Sequence, residues 1–499
     1  MRAALAAAVL LVSGGAAAAT TAENAAKYQA LRTRLAAEFI VVGDEPGESQ
    51  PADERKENEG IIRWSDSTIG LGWYLGMLAT EHHLLTHPDE FPGMPGDPDA
   101  TLDELYYALR AMERLDFVAD ASFPPPCTQE GALNGFFVRD DVPAGFHSHF
   151  PPMAGMTSDF SDPVLTNKEM SQDQVYHVLL GLALVRALVP AQTFVRAVDL
   201  RFWASDQARR ILEHVSSHGW AITNPACGDR QVERGPAAGG YSHGTRAVAG
   251  YFTDGAWLPE VSEAVAFAWE LSRDPSAPQY SDEDNLHMAM AIAAVGDGWG
   301  ETTAADLATL MEEQDWPAYP LLHRVLHRVD AGWCTAAERV NDRARAMLDE
   351  LPASADPSSP RPGGPAPHGF TVWHRFIRGR DKHYVGSPGS DGTRYNGVDY
   401  LVLHNLYAIA TPSTWSGGSG PGVPECPTRT EPPPEAGTGG PDSSSTPPRS
   451  GASPGGDGSC RAAPARSQRS PRAAWWALGF TIGLGLRRRS ARLPAPSRR

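Results

Sequence analysis

Ile69-Gly70-Leu71-Gly72-Trp73-Tyr74-Leu75-Gly76 is the stretch on which the fold turns. It sits inside an apolar segment whose spacing predicts a helix near 66–87, and it places three glycines within that helix. Each interior glycine costs about 1 kcal/mol relative to alanine. Close approach of a second helix is the usual compensation, and a crowded inner ring of helices demands it. Outward from this segment, apolar residues recur at helical spacing, as in Val175, Val178, Leu179, Leu182 and Val185. The pattern predicts further helices near 21–40, 101–119, 171–189, 192–217, 258–273, 282–296, 303–313, 318–330, 335–351 and 396–411. Several begin on a hydroxyl with an acid or amide three residues on, among them Thr101-Leu102-Asp103-Glu104 and Ser171-Gln172-Asp173-Gln174. These are capping-box patterns, in which side chains satisfy the orphan amides of a first turn. Long loops run over about 123–170, 219–256 and 353–395, with short β-hairpins expected in them, for example around Gly135-Phe136-Phe137-Val138. Many helices, one-sided long loops and no repeat of fixed period predict an all-α fold, an (α/α)6 toroid with inner and outer rings.

The two ends of the chain read differently from the body. Met1-Arg2, the apolar run Ala3 to Val12 and Ala17-Ala18-Ala19 fit a secretory signal peptide over 1–19, cleaved after Ala19. The toroid domain is assigned to 20–412, a Pro/Gly/Ser-rich linker to 413–459 and a C-terminal segment to 460–499. That last segment holds Gly458-Ser459-Cys460 at its edge, then the apolar block Ala473 to Leu486, then Arg487-Arg488-Arg489. The block is shorter than the roughly 20 residues of an upright spanning helix. The arrangement resembles the myxobacterial C-terminal sorting tail, which is processed near a Gly-Cys pair; here a serine separates Gly458 from Cys460. The resemblance implies processing at Cys460, contact with the membrane through the tail, and display in the cell envelope or at the cell surface.

From Ser416 onward 12 arginines face 5 acidic residues, so the total of −17 leaves −24 on residues 1–415. A body this acidic repels polyanions, and no basic stripe is present, which excludes nucleic acid as a partner. With Cys460 in the tail, Cys127, Cys227, Cys334 and Cys426 remain in an oxidising compartment. Two disulfides with three alternative pairings, or free buried thiols, are the open readings.

Three segments combine polar and aromatic residues at a helix start: Trp64 to Tyr74, Thr166 to Gln174 and Tyr395 to Tyr407. In texture they resemble the mouth of six-hairpin glycosidases and related lyases, whose inner helices begin with carboxylates and sugar-stacking aromatics. The resemblance implies a glycoside hydrolase with Asp66 and Asp173 as its two carboxylates. Trp64, Trp73 and Tyr74 are then sugar platforms, and Gln174, Asp399, His404 and Asn405 bond hydroxyls. A polysaccharide lyase using Tyr241 and His243 is one alternative, and a non-catalytic glycan- or protein-binding module is another. A first-turn aspartate is also favoured by the helix dipole alone. No cofactor is called for. Calcium is the one candidate ion, at Asp140, Asp141, Asp159 and Asp162. His147-Ser148-His149, placed on one face of an extended segment, and His323 with His327, one helical turn apart, are weaker metal candidates.

Overall fold

The computed structural model describes residues 22–56, 61–64, 67–122, 130–150, 157–159, 169–225, 230–233, 238–260, 283–296, 307–308, 317–327, 333–350 and 393–411. The segments expected to be a signal peptide, a linker and a C-terminal sorting tail lie outside them. The described part is mostly helical, at 66% helix and 5% strand. Its helices are α1 (22–38), α2 (Ser67–Thr86), α3 (Pro98–Ala119), α4 (Gln172–Leu188), α5 (Leu200–Ser217), α6 (Ala238–Phe252), α7 (Glu283–Gly296), α8 (Ala318–His327), α9 (Trp333–Glu350) and α10 (Val398–Ala410). None of these is long and apolar enough to cross a membrane.

Helices of two kinds follow from the sequence. α2, α4 and α10 are apolar almost all round, and nearly every residue in them is buried. α3 and α5 bury one stripe, Leu105, Leu109, Met112 and Leu115 in one and Leu200, Ala204, Ala208, Ile211 and Val215 in the other, and turn charge outward. α2 is the hub, packing on α3, α4 and α10 and most extensively on α4. That contact passes through glycine. A Cβ on Gly72 would lie 2.3 Å from the carbonyl oxygen of His177, and one on Gly181 would lie 2.0 Å from that of Gly72. One turn on, a Cβ on Gly76 would lie 2.8 Å from Leu184 Cδ1 and 3.9 Å from Gly181 Cα. Ascending residues of α2 thus meet ascending residues of α4, and the two helices run parallel.

Other pairs agree in direction. His323 and His327 of α8 face Ala294 and Val295 at the end of α7. Tyr251, near the end of α6, bonds Ala183 and accepts from Arg186 near the end of α4. A four-stranded sheet of order β3-β2-β1-β8 joins β1 (Glu54–Lys56), β2 (Ile61–Arg63), β3 (Thr157–Asp159) and β8 (Thr393–Tyr395). β2 and β8 flank β1, both antiparallel to it, so the segments leading into α2 and α10 leave the sheet in one sense. Asn396 fixes this junction, its amide group donating to Ala52 O at 2.9 Å and its Oδ1 accepting from Val398 N–H.

The predicted helices fall close to the observed ones, with two differences. Residues 192–199 form a hairpin, β4 (Phe194–Val195) and β5 (Val198–Asp199), with Asp199 capping α5 through Phe202 N–H. Arg196 and Ala197 turn it at φ 49° and 65°, so the left-handed turn ends the helical pattern. α6 occupies part of the expected loop 219–256, because burial of Val248, Ala249 and Phe252 outweighs the cost of its glycines. The expected hairpin near Gly135 is a single bridge, Val138 to Glu169. Most of the expected helices 258–273 and 303–313 lies outside the described residues.

Overpacking a tight interface costs about 1–3 kcal/mol or more. Gly72→Ala and Gly181→Ala are each expected to lower unfolding free energy by about 3 kcal/mol in urea titrations, against well under half of that for Gly70→Ala, whose nearest neighbour is Asp53 Oδ1 at 3.3 Å. Equal losses at all three positions would contradict the contact.

Candidate functional site

Because α2 and α4 run parallel, their first turns share one end of the molecule. Ser171 is the N-cap of α4, and its backbone N–H donates to Gln174 Oε1 at 3.1 Å, the returning arm of a capping box. The Ser171 hydroxyl donates to Asp173 Oδ1, which also accepts from Gln174 N–H at 3.0 Å. Asp173 is half-buried, and its Oδ2 takes no bond among the described residues.

A loop ties this start to that of α2. Met170 N–H donates to Phe137 O, Arg139 Nε to Glu169 O at 3.0 Å, and the Ser67 hydroxyl to Arg139 O at 2.6 Å. Arg139 is the residue that sequence reasoning missed here; no spacing rule marks a residue whose side chain reaches one helix start and whose carbonyl reaches another.

One helical turn below Asp173, three side chains from three helices meet. His177 Nδ1 donates to Asp173 O at 2.6 Å. A carbonyl only accepts, so Nδ1 carries a proton, and Nε2 faces the Tyr319 hydroxyl at 3.5 Å. Trp73 stands 5.5 Å from the His177 ring and 6.3 Å from that of Tyr319. All three are fully enclosed. His177 and Tyr319 also escaped the sequence reading, since a lone histidine or tyrosine on an apolar helix face reads as core.

The predicted sugar platforms are core residues. Trp64 is shut in by Phe146 and Phe150 and donates its Nε1 to Gln50 O. The Tyr74 hydroxyl donates to Glu104 at 2.6 Å on the α3 side. An enclosed ring offers no face to a sugar, so Trp64, Trp73 and Tyr74 form no open platform in this structure. Gln174 is spent on its cap. Asn405 donates to Tyr28 Oη and Thr80 Oγ1, joining α10 to α1 and α2, and its Oδ1 accepts from His404 Nδ1 at 3.1 Å. His404 lies 4.6 Å from the Tyr28 ring. Asp399 is fully buried with Oδ1 accepting from Tyr400 N–H, and burial pushes its carboxyl well above the usual range. These three are therefore interior groups, not hydroxyl readers on an open wall. Asp66 lies outside the described residues, as do the side chains of Tyr241 and His243, whose backbones are in the first turns of α6.

The ion candidates fare similarly. Asp141 is already engaged by Arg114, Gln50 and the Gly47 N–H, and Asp140 holds Val142 N–H in a local turn. Asp159 sits in β3 opposite Arg63, and Asp162 lies outside the described residues. His147 and His149 occupy a 3-10 turn (Phe146–His149), not an extended segment, so they do not share a face. His323 and His327 both turn to the terminal carbonyls of α7. No group of three metal-ligating side chains occurs among the described residues. Of the four body cysteines, Cys334 is placed on α9, with its side chain outside the described part.

Burial lowers the His404 pKa to about 4, against an ordinary 6.5. The unfolded chain therefore binds this proton first, and the stability that neutral His404 contributes is full above pH 6.5 and lost as pH falls toward 4. Urea unfolding between pH 7 and 5 is expected to weaken at up to about 1.4 kcal/mol per pH unit from this group, and His404→Phe to flatten the slope. An unchanged slope would refute the assignment.

No protein-family model matches the chain, and neither the search of curated proteins nor that of solved structures gives a match.

Proposed function

We propose that the chain is an exported (α/α)6 toroid, displayed at the cell surface, that hydrolyses a neutral glycan. Support for the toroid comes from contact order. α2, α4, α6, α7, α8 and α10 touch in that sequence, and α10 returns to α2. The pairs with resolved direction run the same way, while α3 and α5 lie between successive members with their polar faces outward. Such a ring gathers helix starts around a central mouth.

The observation that carries the hydrolase reading is Asp173. It stands at that mouth, half-buried, with Oδ1 held by its cap and Oδ2 unengaged among the described residues. Glycoside hydrolysis takes one carboxylic acid to protonate the leaving oxygen and one carboxylate as base or nucleophile. Asp66, directly before α2, is the partner in this reading. The acidic body argues for an uncharged glycan, since a polyuronate would be repelled. The signal peptide and sorting-type tail give the address, with the tail touching the membrane. A surface module without catalysis is the second reading, and a separate feature favours it. Phe194 of β4 and Phe202 in the first turn of α5 are 61% and 72% exposed, and Arg196, in the turn of the β4–β5 hairpin, stacks its guanidinium on Tyr106 and Tyr107.

In a screen of the purified protein against neutral oligosaccharides, Asp173→Asn is expected to lower turnover about 10³-fold, the scale of general acid–base catalysis, with circular dichroism unchanged. Turnover equal to wild type would remove Asp173 from the chemistry. Deletion of residues 455–499 is expected to shift the protein from cells to medium; unchanged retention would count against the tail as anchor.

A further inference from the structure

We propose that Asp116 is a proton-sensitive clasp for segment 134–139, so that pH sets how firmly this segment, and the first turns of α2 and α4 joined through it, are seated. The clasp does not depend on the carbohydrate reading above.

It is built around one enclosed carboxylate. Asp116 lies on the buried stripe of α3 and is 3% exposed. Its Oδ1 accepts from the backbone N–H groups of Asn134 and Gly135 at 3.1 and 2.9 Å, and its Oδ2 accepts from Arg210 Nε of α5 at 3.1 Å. Asp120, four residues on and also buried, accepts from the Asn134 side-chain amide at 2.9 Å. At Gly135, with φ 83°, the segment runs so close to α5 that a Cβ there would stand 2.2 Å from Arg210 O. Beyond it, Phe136, Phe137 and Val138 are buried, and Val138 N–H donates to Leu115 O at 3.3 Å. Arg139 then reaches the starts of both α2 and α4. Two carboxylates and one guanidinium therefore hold the stretch that joins the helix starts.

Few charges face Asp116. Residues 131–138 carry no ionisable side chain. From α5 comes Arg210, which also serves Asp206, and one turn on His214, whose ring stands 5.6 Å from that of Phe136. α3 contributes Asp120, and Glu113 one turn earlier, which lies 3.9 Å from Arg110. Enclosure pushes the Asp116 carboxyl up to about 6 from an ordinary 3.8, against the pull of Arg210 and the two amides. Burial raises Asp120 in the same direction. When the segment lifts away, water reaches the Asp116 carboxylate and its pKa returns toward the ordinary value. The seated form thus binds the proton more tightly. The proton's contribution to seating is full below the ordinary carboxylate range and is lost as pH rises through about 6. Acid seats the segment, and neutral pH lets it open.

The test is hydrogen–deuterium exchange of the peptide spanning 134–139, read by mass spectrometry on the full protein between pH 4 and 8 and corrected for intrinsic exchange. In wild type the opening equilibrium is expected to rise about 60-fold over that range and to level off above about pH 6. Asp116→Asn, which has no carboxyl to titrate, is expected to give a flat profile. Arg210→Gln removes the cation that lowers the carboxyl, and is expected to move the levelling point up by at least about one pH unit. It decides where Asp116→Asn does not fold. A flat wild-type profile would overturn the clasp. So would a wild-type rise retained in folded Asp116→Asn, which would assign the titration to Asp120 or His214, or an unmoved levelling point in Arg210→Gln.

Discussion

The backbone contact between α2 and α4 is the constraint from which the rest of the structure follows. Gly72 and Gly181 let two helices meet where any Cβ would collide with a carbonyl at 2.3 Å or 2.0 Å. Ordinary side-chain packing holds helix axes 8–10 Å apart, and these two have no side chain at the crossing to keep them there. The glycines weaken both helices on their own account. Dispersion contacts and burial along two nearly all-apolar helices offset that loss. Parallel alignment then follows from the register, and parallel alignment is what places Ser67 and Asp173 at one end.

Polar groups lock the surrounding helices to this pair. Glu81 of α2 accepts from Tyr28 and Arg32 of α1 and from Thr101 of α3, while Arg32 and Tyr74 converge on Glu104. Arg32 is shared by the two carboxylates, and each carboxylate also accepts from at least one hydroxyl, the condition under which a buried ion pair holds against its desolvation cost. Asn405 ties α10 into the same set through Tyr28 and Thr80. The helix-start end is organised by the small sheet, by the cap at Ser171, by the Asn396 side chain before α10, and by the loop that carries Arg139. Ion pairs thus hold both ends, Arg32 with Glu81 and Glu104 at one and Arg114 with Asp141 at the other.

The helical class and most element positions were legible because apolar spacing and capping patterns are local. Ser171-Gln172-Asp173-Gln174 reads correctly as a helix start because cap and partner lie within four residues. α6 was not legible, since Gly239, Gly240 and Gly244 argue locally for a turn and only burial of Val248 and Phe252 against distant helices reverses that. The tight α2 crossing was readable from Gly72 and Gly76, whereas Gly70 faces Pro51 and Asp53, and the partner Gly181 was not singled out. At the site, residue type misled. Trp64, Trp73, Tyr74 and Asn405 carry the right groups for sugar binding, but whether a ring faces a cleft or a neighbouring helix depends on contacts far along the chain. His177 and Tyr319 were invisible for the converse reason: they meet only in three dimensions.

The direction of α2 relative to α4 tests the central claim most directly. Spin labels on Thr86→Cys and Ala191→Cys, both exposed positions just at or beyond the two helix ends, report it by pulsed electron-spin distance measurement. Parallel packing predicts a distance below about 20 Å. A helix of 20 residues spans about 30 Å, so a distance of about 30 Å or more would mean that the helices run oppositely and that their first turns do not share one end.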